Sequence, residues 1–208
     1  MEGSCCQAYV APEQYLDGLG YQVDIERAAE AVLGTQGQIL TYEGKPIEAT
    51  YFSSSGGCTE DALAVWGVTY PYLQAVHSHG EEQMEDYRTE VFFSSQTLAE
   101  TLQTNLPGTP YDWISHVTHT AGGGVDTIRI AGKTYTGLQL RKLLNLYSTA
   151  FVIEPTEDGL IFTTSGKGHR VGMSQSGAQA MALRGYTYWQ ILGYYYPGTT
   201  IDKIQNLQ

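Results

Sequence analysis

Side chains able to do chemistry gather in a few short stretches of the 208-residue sequence. One is Ser53-Ser54-Ser55-Gly56-Gly57, a run of hydroxyls and glycines at the end of a strand-like segment. Such a run is most often a turn, and otherwise a loop that lets a ligand approach the backbone. A second is Gly166-Lys167-Gly168-His169-Arg170-Val171-Gly172, followed by Met173, Ser174 and Gln175. Free N–H groups at the start of a helix attract anions, which would suit a phosphate. The spacing of Gly166, Gly168 and Gly172 is neither a P-loop nor a dinucleotide fingerprint, so that chemistry is rejected. What remains is a concentration of donors and acceptors beside a helix start. Glu60, just past the serine-glycine run, could face a cleft, but the preferred reading is a carboxylate that ties the loop down through its N–H groups. His77 with His79, and His116 with His119, have spacings that could present two ligands on one face, but their acidic and strand-like surroundings favour solvated loops.

The elements that must position these groups follow from periodicity. Asp24 caps a helix over 24–34, with Ile25, Ala28, Ala29, Val32 and Leu33 on one stripe and Gly34 as its stop. Segments 38–42 and 46–52 read as a hairpin about Glu43-Gly44-Lys45. A strand over 89–93 leads to a helix capped by Ser94 or Ser95, carrying Leu98, Leu102 and Leu106 and ended by Pro107-Gly108. Segments 113–120 and 125–130 flank Gly122-Gly123-Gly124 as a second hairpin. Thr136 opens a helix with Leu140, Leu143 and Leu144, and strands over 151–154 and 160–164 bracket Glu157-Asp158-Gly159. Ser174 caps a helix running to Gly185, and Thr187 caps a last one stopped by Pro197-Gly198. Strands and helices mix without a regular βαβ alternation, which predicts an α+β fold.

Apolar residues at 42% against 16% charged exclude intrinsic disorder. No apolar stretch of about twenty residues is present to span a bilayer. A formal charge of −11 repels phosphate backbones, so nucleic acid is not an expected partner. Sixteen Tyr and three Trp offer faces that stack on sugar rings. Cys5, Cys6 and Cys58 are too few for a framework of disulfides. The start of the sequence, Met1 to Cys6, carries neither a basic n-region nor an apolar h-region.

Three stretches in order resemble the stage II sporulation protein D family. They are Gly44-Lys45-Pro46-Ile47-Glu48-Ala49 leading to Tyr51, the serine-glycine run, Thr59-Glu60 and Val65-Trp66-Gly67; Leu140-Arg141, Leu143, Ser148-Thr149 and Phe151; and the whole of 166–182 with Tyr186, Ile191, Leu192, Tyr195 and Tyr196. The resemblance covers most of 6–202. It implies a single domain over 1–208 with two lobes, 1–75 with 150–208 and 76–149, around a glycan-binding cleft. It also implies lytic transglycosylase chemistry on peptidoglycan strands stripped of stem peptides, giving 1,6-anhydro-N-acetylmuramic acid ends. One carboxyl group suffices for that reaction, as acid to the glycosidic oxygen and then as base to the sugar's own C6 hydroxyl.

By the same resemblance, Tyr51, Ser53, Ser54, Ser55, Gly56, Gly57, His169, Met173, Ser174 and Gln175 bind the substrate. The family's catalytic glutamate belongs to a segment upstream of Cys-Gln-x-Tyr, matched here by Cys6-Gln7-Ala8-Tyr9. No glutamate of this sequence stands in that motif, so the expectation is a fragment without its acid, or else a non-catalytic glycan-binding or amidase-enhancing protein. No cofactor is required. Zinc ligands precede the Cys-Gln-x-Tyr in some relatives, which makes Cys6 a weak metal candidate; adjacent cysteines rarely both ligate one tetrahedral ion. The implied partners are glycan strands, a peptidoglycan amidase and a septal membrane complex. The implied location is the cell envelope of a sporulating bacterium, outside the cytoplasm, with a membrane anchor not contained in these residues.

Overall fold

A computed structural model describes residues 25–83 and 87–206. The Asp24 cap, the Cys5-Cys6 pair and the Cys6-Gln7-Ala8-Tyr9 match lie outside the described residues. Helices and strands are mixed in an α+β arrangement, as the pattern predicts.

The first helix, Ile25–Gly34, forms where the apolar stripe places it, yet Val32 and Leu33 are each 70% exposed. After it, Gln38–Tyr42 is the centre of a three-stranded antiparallel sheet between Lys45–Pro46 and Thr200–Lys203. The hairpin turns on Glu43 and Gly44, whose φ values of 50° and 74° are the left-handed pair that suits the twist of a two-residue turn. The second strand of this hairpin is shorter than predicted. After Pro46, which has no N–H for the ladder, the chain leaves the sheet, and Tyr51–Phe52 pairs in parallel with Met173–Ser174 instead. This pairing brings the two loops with chemical potential side by side.

Helix Gln175–Leu183 follows directly, capped by the Ser174 hydroxyl, which accepts from the Gly177 N–H at 3.1 Å. Helix Tyr188–Tyr195 carries a capping box of Thr187 and Gln190. Leu40, Ala62, Tyr72, Leu73, Val171, Ile191, Tyr195 and Tyr196 close over one another as a first core.

A second core occupies the middle of the chain. Strand Gly159–Ser165 lies between Arg88–Ser94 and Phe151–Pro155. Helix Ser95–Leu102 is capped by Ser94 and ends at Gln103, earlier than the predicted Leu106, because Gln103 turns left-handed at φ 47°. Thr127–Ile130 pairs with Ile114–Ser115 and with Lys133–Thr136, a strand that the sequence pattern does not announce. Leu98, Leu102, Trp113, Ile128, Ile130, Leu140, Leu160 and Phe162, none more than 3% exposed, fill this core. Each such side chain contributes about 1.5–3 kcal/mol when buried. Strands 151–155 and 159–165 thus belong with the middle segment, whereas a division at 150 would place them with the chain ends; ladder pairing to Arg88–Ser94 decides it.

Candidate functional site

Between the two cores runs a buried polar frame, and its hub is Arg170. Only 1% exposed, it donates from Nε to the Ser55 carbonyl at 2.6 Å, from Nη2 to the carbonyls of Cys58 at 2.8 Å and Gly122 at 2.7 Å, and from Nη1 to Glu60 Oε1 at 3.0 Å. Its own backbone is left-handed, φ 67°, a conformation that glycine adopts without cost. Glu60, also 1% exposed, accepts in addition from Thr120 Oγ1 at 2.8 Å and the Gly124 N–H at 3.1 Å. Side-chain and backbone partners from both cores therefore converge on one ion pair. A Cβ on Gly122 would fall 2.2 Å from the Thr59 carbonyl oxygen, and one on Gly124 would fall 2.3 Å from Glu60 Oε1, so the glycine turn is what lets the loop close over the pair.

A second buried carboxylate, Glu81, holds the serine-glycine loop. Its oxygens accept from the Ser55 N–H at 2.7 Å, from Ser55 Oγ at 3.1 Å and from Ser78 Oγ, which also meets the Tyr195 hydroxyl. Gly56 and Gly166 pass so closely that a Cβ on Gly166 would lie 2.5 Å from the Gly56 nitrogen. The glycines of these loops thus serve the approach of one protein segment to another. Lys167 completes the contact through a backbone pair with Ser54, at 3.1 and 2.8 Å.

His169 is a clamp of the same frame. Its Nδ1 accepts from the Val171 N–H at 3.1 Å, which leaves Nε2 as the protonated nitrogen that donates to the Tyr51 carbonyl at 3.1 Å. Burial pushes its proton affinity down, the Tyr51 bond pulls it up, and the positive charge of Arg141 pushes it down again. The ring stands 5.3 Å from Trp66 and 5.6 Å from Phe52. With both nitrogens on backbone groups, the neutral imidazole is held as a positioning group. Cys58, the other conceivable nucleophile, is half-buried, and burial pushes its thiol pKa up, against the pull of Arg170.

The ten sequence-derived substrate residues divide accordingly. Ser54, Ser55 and Ser174 are buried, and Ser55 and Ser174 spend their hydroxyls on Glu81 and on a helix cap. Gly56 and Gly57 turn the loop with φ of 74° and 110°. Tyr51, Ser53 and Gln175 are exposed, and Met173 is half-buried against the first core. Around Tyr51 and His169 the surface continues through Trp66 and Tyr147, each 41% exposed, and Lys167, whose ammonium lies 4.9 Å from the Tyr147 ring. The Gly168 N–H donates to the Tyr147 carbonyl at 2.9 Å, which attaches this tyrosine to the loop. An aromatic face with hydroxyl and amide groups is thereby presented on a rigid backing, an arrangement suited to stacking on and hydrogen bonding to sugars. His77 and His79 stack at 5.7 Å on an exposed strand-like stretch, and among the described residues no group of three metal-ligating side chains assembles.

Sequence reasoning missed Glu81, Trp66 and Tyr147 as parts of this site. Glu81 has no local motif, since it meets Ser55 only through the fold. Trp66 and Tyr147 lay within the matched stretches or beside them, and exposure of large aromatics next to the serine-glycine loop was the missing signal.

No family model matches the chain. Curated relatives do. The chain is 39% identical over 187 residues to stage II sporulation protein D of Bacillus subtilis (strain 168), covering 89% of this chain and 54% of that protein. The figures are the same for stage II sporulation protein D of Bacillus amyloliquefaciens. It is 29% identical over 230 residues to the amidase enhancer of Bacillus subtilis (strain 168), covering 84% of this chain and 32% of the relative. The chain spans about half the length of the stage II sporulation proteins D it matches. At 39% identity over 89% of its residues to stage II sporulation protein D, with the serine-glycine and glycine-dense loops in its matching motifs, the chain belongs to the stage II sporulation protein D family.

Proposed function

We propose that this chain binds the glycan strands of peptidoglycan and that the whole protein cleaves them as a sporulation lytic transglycosylase. The observation that carries the reading is the exposed aromatic set Tyr51, Trp66 and Tyr147 gathered around His169 and Lys167 and backed by the buried Arg170–Glu60 and Glu81 frames. Sugars carry apolar C–H faces that stack on aromatic rings and hydroxyl or acetamido groups that bond to polar side chains. The cleavage needs one carboxyl group beside that face. It protonates the glycosidic oxygen as the C1–O bond breaks, and as carboxylate it then takes the C6 hydroxyl proton while that oxygen closes on C1. Glu60 and Glu81 are not proposed as that acid: both are buried, Glu60 Oε1 is held by Arg170, Thr120 and Gly124 although its Oε2 has no hydrogen-bond partner among the described residues, and both oxygens of Glu81 are bonded within the frame. The acid is proposed to lie outside the described residues.

The names of the relatives, stage II sporulation protein D and amidase enhancer, support a role in sporulation with an amidase as partner; peptidoglycan as the substrate of that amidase and a location at the cell envelope, outside the cytoplasm, are proposed with it. A septal membrane complex is proposed with them. Incubating the 208-residue chain and the full-length protein with stem-peptide-free glycan strands, and analysing products by mass spectrometry, tests the reading. Full-length protein is expected to yield 1,6-anhydro ends; failure of both to bind or cleave the strands overturns it. A second reading, enhancement of an amidase without cleavage, is favoured by the 29% identity to the amidase enhancer. It predicts a faster amidase with no 1,6-anhydro ends.

A further inference from the structure

His77, His79 and the Cys58 thiol take no part in the frame around Arg170, yet backbone pairing brings the three together. Cys58 and His77 form an antiparallel bridge, with the Ser78 N–H donating to the Gly57 carbonyl at 2.9 Å and the Thr59 N–H to the Val76 carbonyl at 2.8 Å. Those two bonds flank the bridge, so Cys58 and His77 are a non-hydrogen-bonded pair, the narrow kind in which Cα atoms stand about 4.5 Å apart and the side chains leave by the same face. Alternation along the chain then sends Ser78 inward, where it is 1% exposed and bonded to Glu81, and returns His79 to the face of His77. The two imidazoles do share that face, stacked with centroids 5.7 Å apart and planes 14° from parallel. Tyr194 fixes the stretch further, its hydroxyl donating to the His77 carbonyl at 2.6 Å. Both histidines are exposed, and Cys58 is half-buried.

A His-x-His pair on one strand-like stretch and a third ligand from the stretch opposite suit a metal, because the paired backbone sets the spacing of the donors. One thiolate sulfur and two imidazole nitrogens match zinc, a tetrahedral ion of borderline softness, and leave its fourth position to water. We propose that Cys58, His77 and His79 form a three-ligand zinc site on the outer side of the serine-glycine loop. With the rings stacked, the three donors do not converge on one point. Convergence requires rotation of exposed imidazoles, a fast motion that leaves the paired backbone as it is. The thiol gives up its proton to solvent as the ion binds. Burial pushes the Cys58 pKa up and Arg170 pulls it down, and the charge of a bound ion adds to that pull. Arg170 would repel a cation, but its charge is offset by the pair with Glu60, and the formal charge of −11 draws cations to the protein. Zinc here would tie Cys58 to the 77–79 stretch and brace from outside the loop that Glu81 holds from within. None of the three residues belongs to the aromatic face, and the ion takes no part in the glycan chemistry proposed above.

Cobalt(II) occupies tetrahedral zinc sites and reports a bound thiolate by sulfur-to-metal charge-transfer absorption, so it is titrated into the whole 208-residue chain and then displaced with zinc. The sequence holds three cysteines, and a variant carrying Cys5→Ser and Cys6→Ser keeps Cys58 as its one thiol. That variant is expected to bind one equivalent of thiolate-ligated cobalt, to release it to zinc, and to melt at a higher temperature with zinc than without. Adding Cys58→Ser should abolish the band. Adding His77→Gln or His79→Gln should each weaken zinc binding by more than about tenfold, since even outer-shell changes cost that much. Circular dichroism without metal checks that each variant is folded. Absence of a thiolate band when Cys58 is the one thiol overturns the proposal, as does a band of full strength after both histidines are replaced. In the unmodified chain, a cobalt–thiolate band that Cys58→Ser leaves unchanged overturns it without recourse to the serine pair.

Discussion

At the scale of single residues, Arg170 is asked to do more than any other. It occupies a left-handed position and hands its donors to three carbonyls and one carboxylate. Removing one partner of a buried pair leaves the other charge uncompensated, so Glu60→Gln is expected to lower stability by about 3–5 kcal/mol in urea unfolding. Two buried phenols give a pH signature. Burial pushes Tyr195 and Tyr196 up to about 12 from an ordinary value of 10.0. A raised folded pKa means the unfolded chain releases its proton first, so their contribution is complete below about pH 10 and is lost as pH rises from about 10 to about 12. Absorbance titration should show two tyrosines ionising late, together with loss of structure. His169 has the opposite sign: its lowered proton affinity gives a contribution complete above about pH 6.5 and lost as pH falls below it, a slope that His169→Gln should flatten in thermal melts.

At the scale of elements, the glycine turn 122–124 and helix Tyr188–Tyr195 make contrasting cases. Gly122→Ala would press a methyl against the Thr59 carbonyl and Glu60, and an overpacked site of this kind costs about 1–3 kcal/mol. Gly193 lies in the helix with nothing within 4 Å of an added Cβ, so Gly193→Ala is expected to raise stability by about 0.5–1 kcal/mol. Paired urea melts of the two variants check both signs at once. Helix positions were legible before the fold because capping is local: Ser94, Thr136, Ser174 and Thr187 each stand at the predicted start. Short strands were less legible. Lys133–Thr136 and Thr200–Lys203 exist through their partners Thr127–Ile130 and Gln38–Tyr42, and four residues carry too little pattern to reveal them alone.

At the scale of the molecule, the ion pair ties a core built from 40–73 and 171–196 to one built from 98–162. That coupling predicts a single unfolding transition. In Glu60→Gln combined with Arg170→Met, where both charges are gone, part of the stability should return, but tryptophan fluorescence, sensitive to Trp113 of the middle core, should separate from far-ultraviolet circular dichroism. Coincident transitions in the double variant would show that the pair does not couple the cores. The sequence by itself determined the mixed class, the helix starts, the two glycine-containing loops and the family, because caps, turns and motifs are written in contiguous residues. Tertiary structure alone decided which of those residues face outward. Ser54, Ser55 and Ser174 look like ligands in the sequence and are buried, whereas Trp66 and Tyr147 come to the face from separate elements. The physical reason is that a hydroxyl is equally able to bond a sugar or its own chain, and only long-range pairing, such as Tyr51–Phe52 on Met173–Ser174 and Ser55 on Glu81, determines which partner it meets.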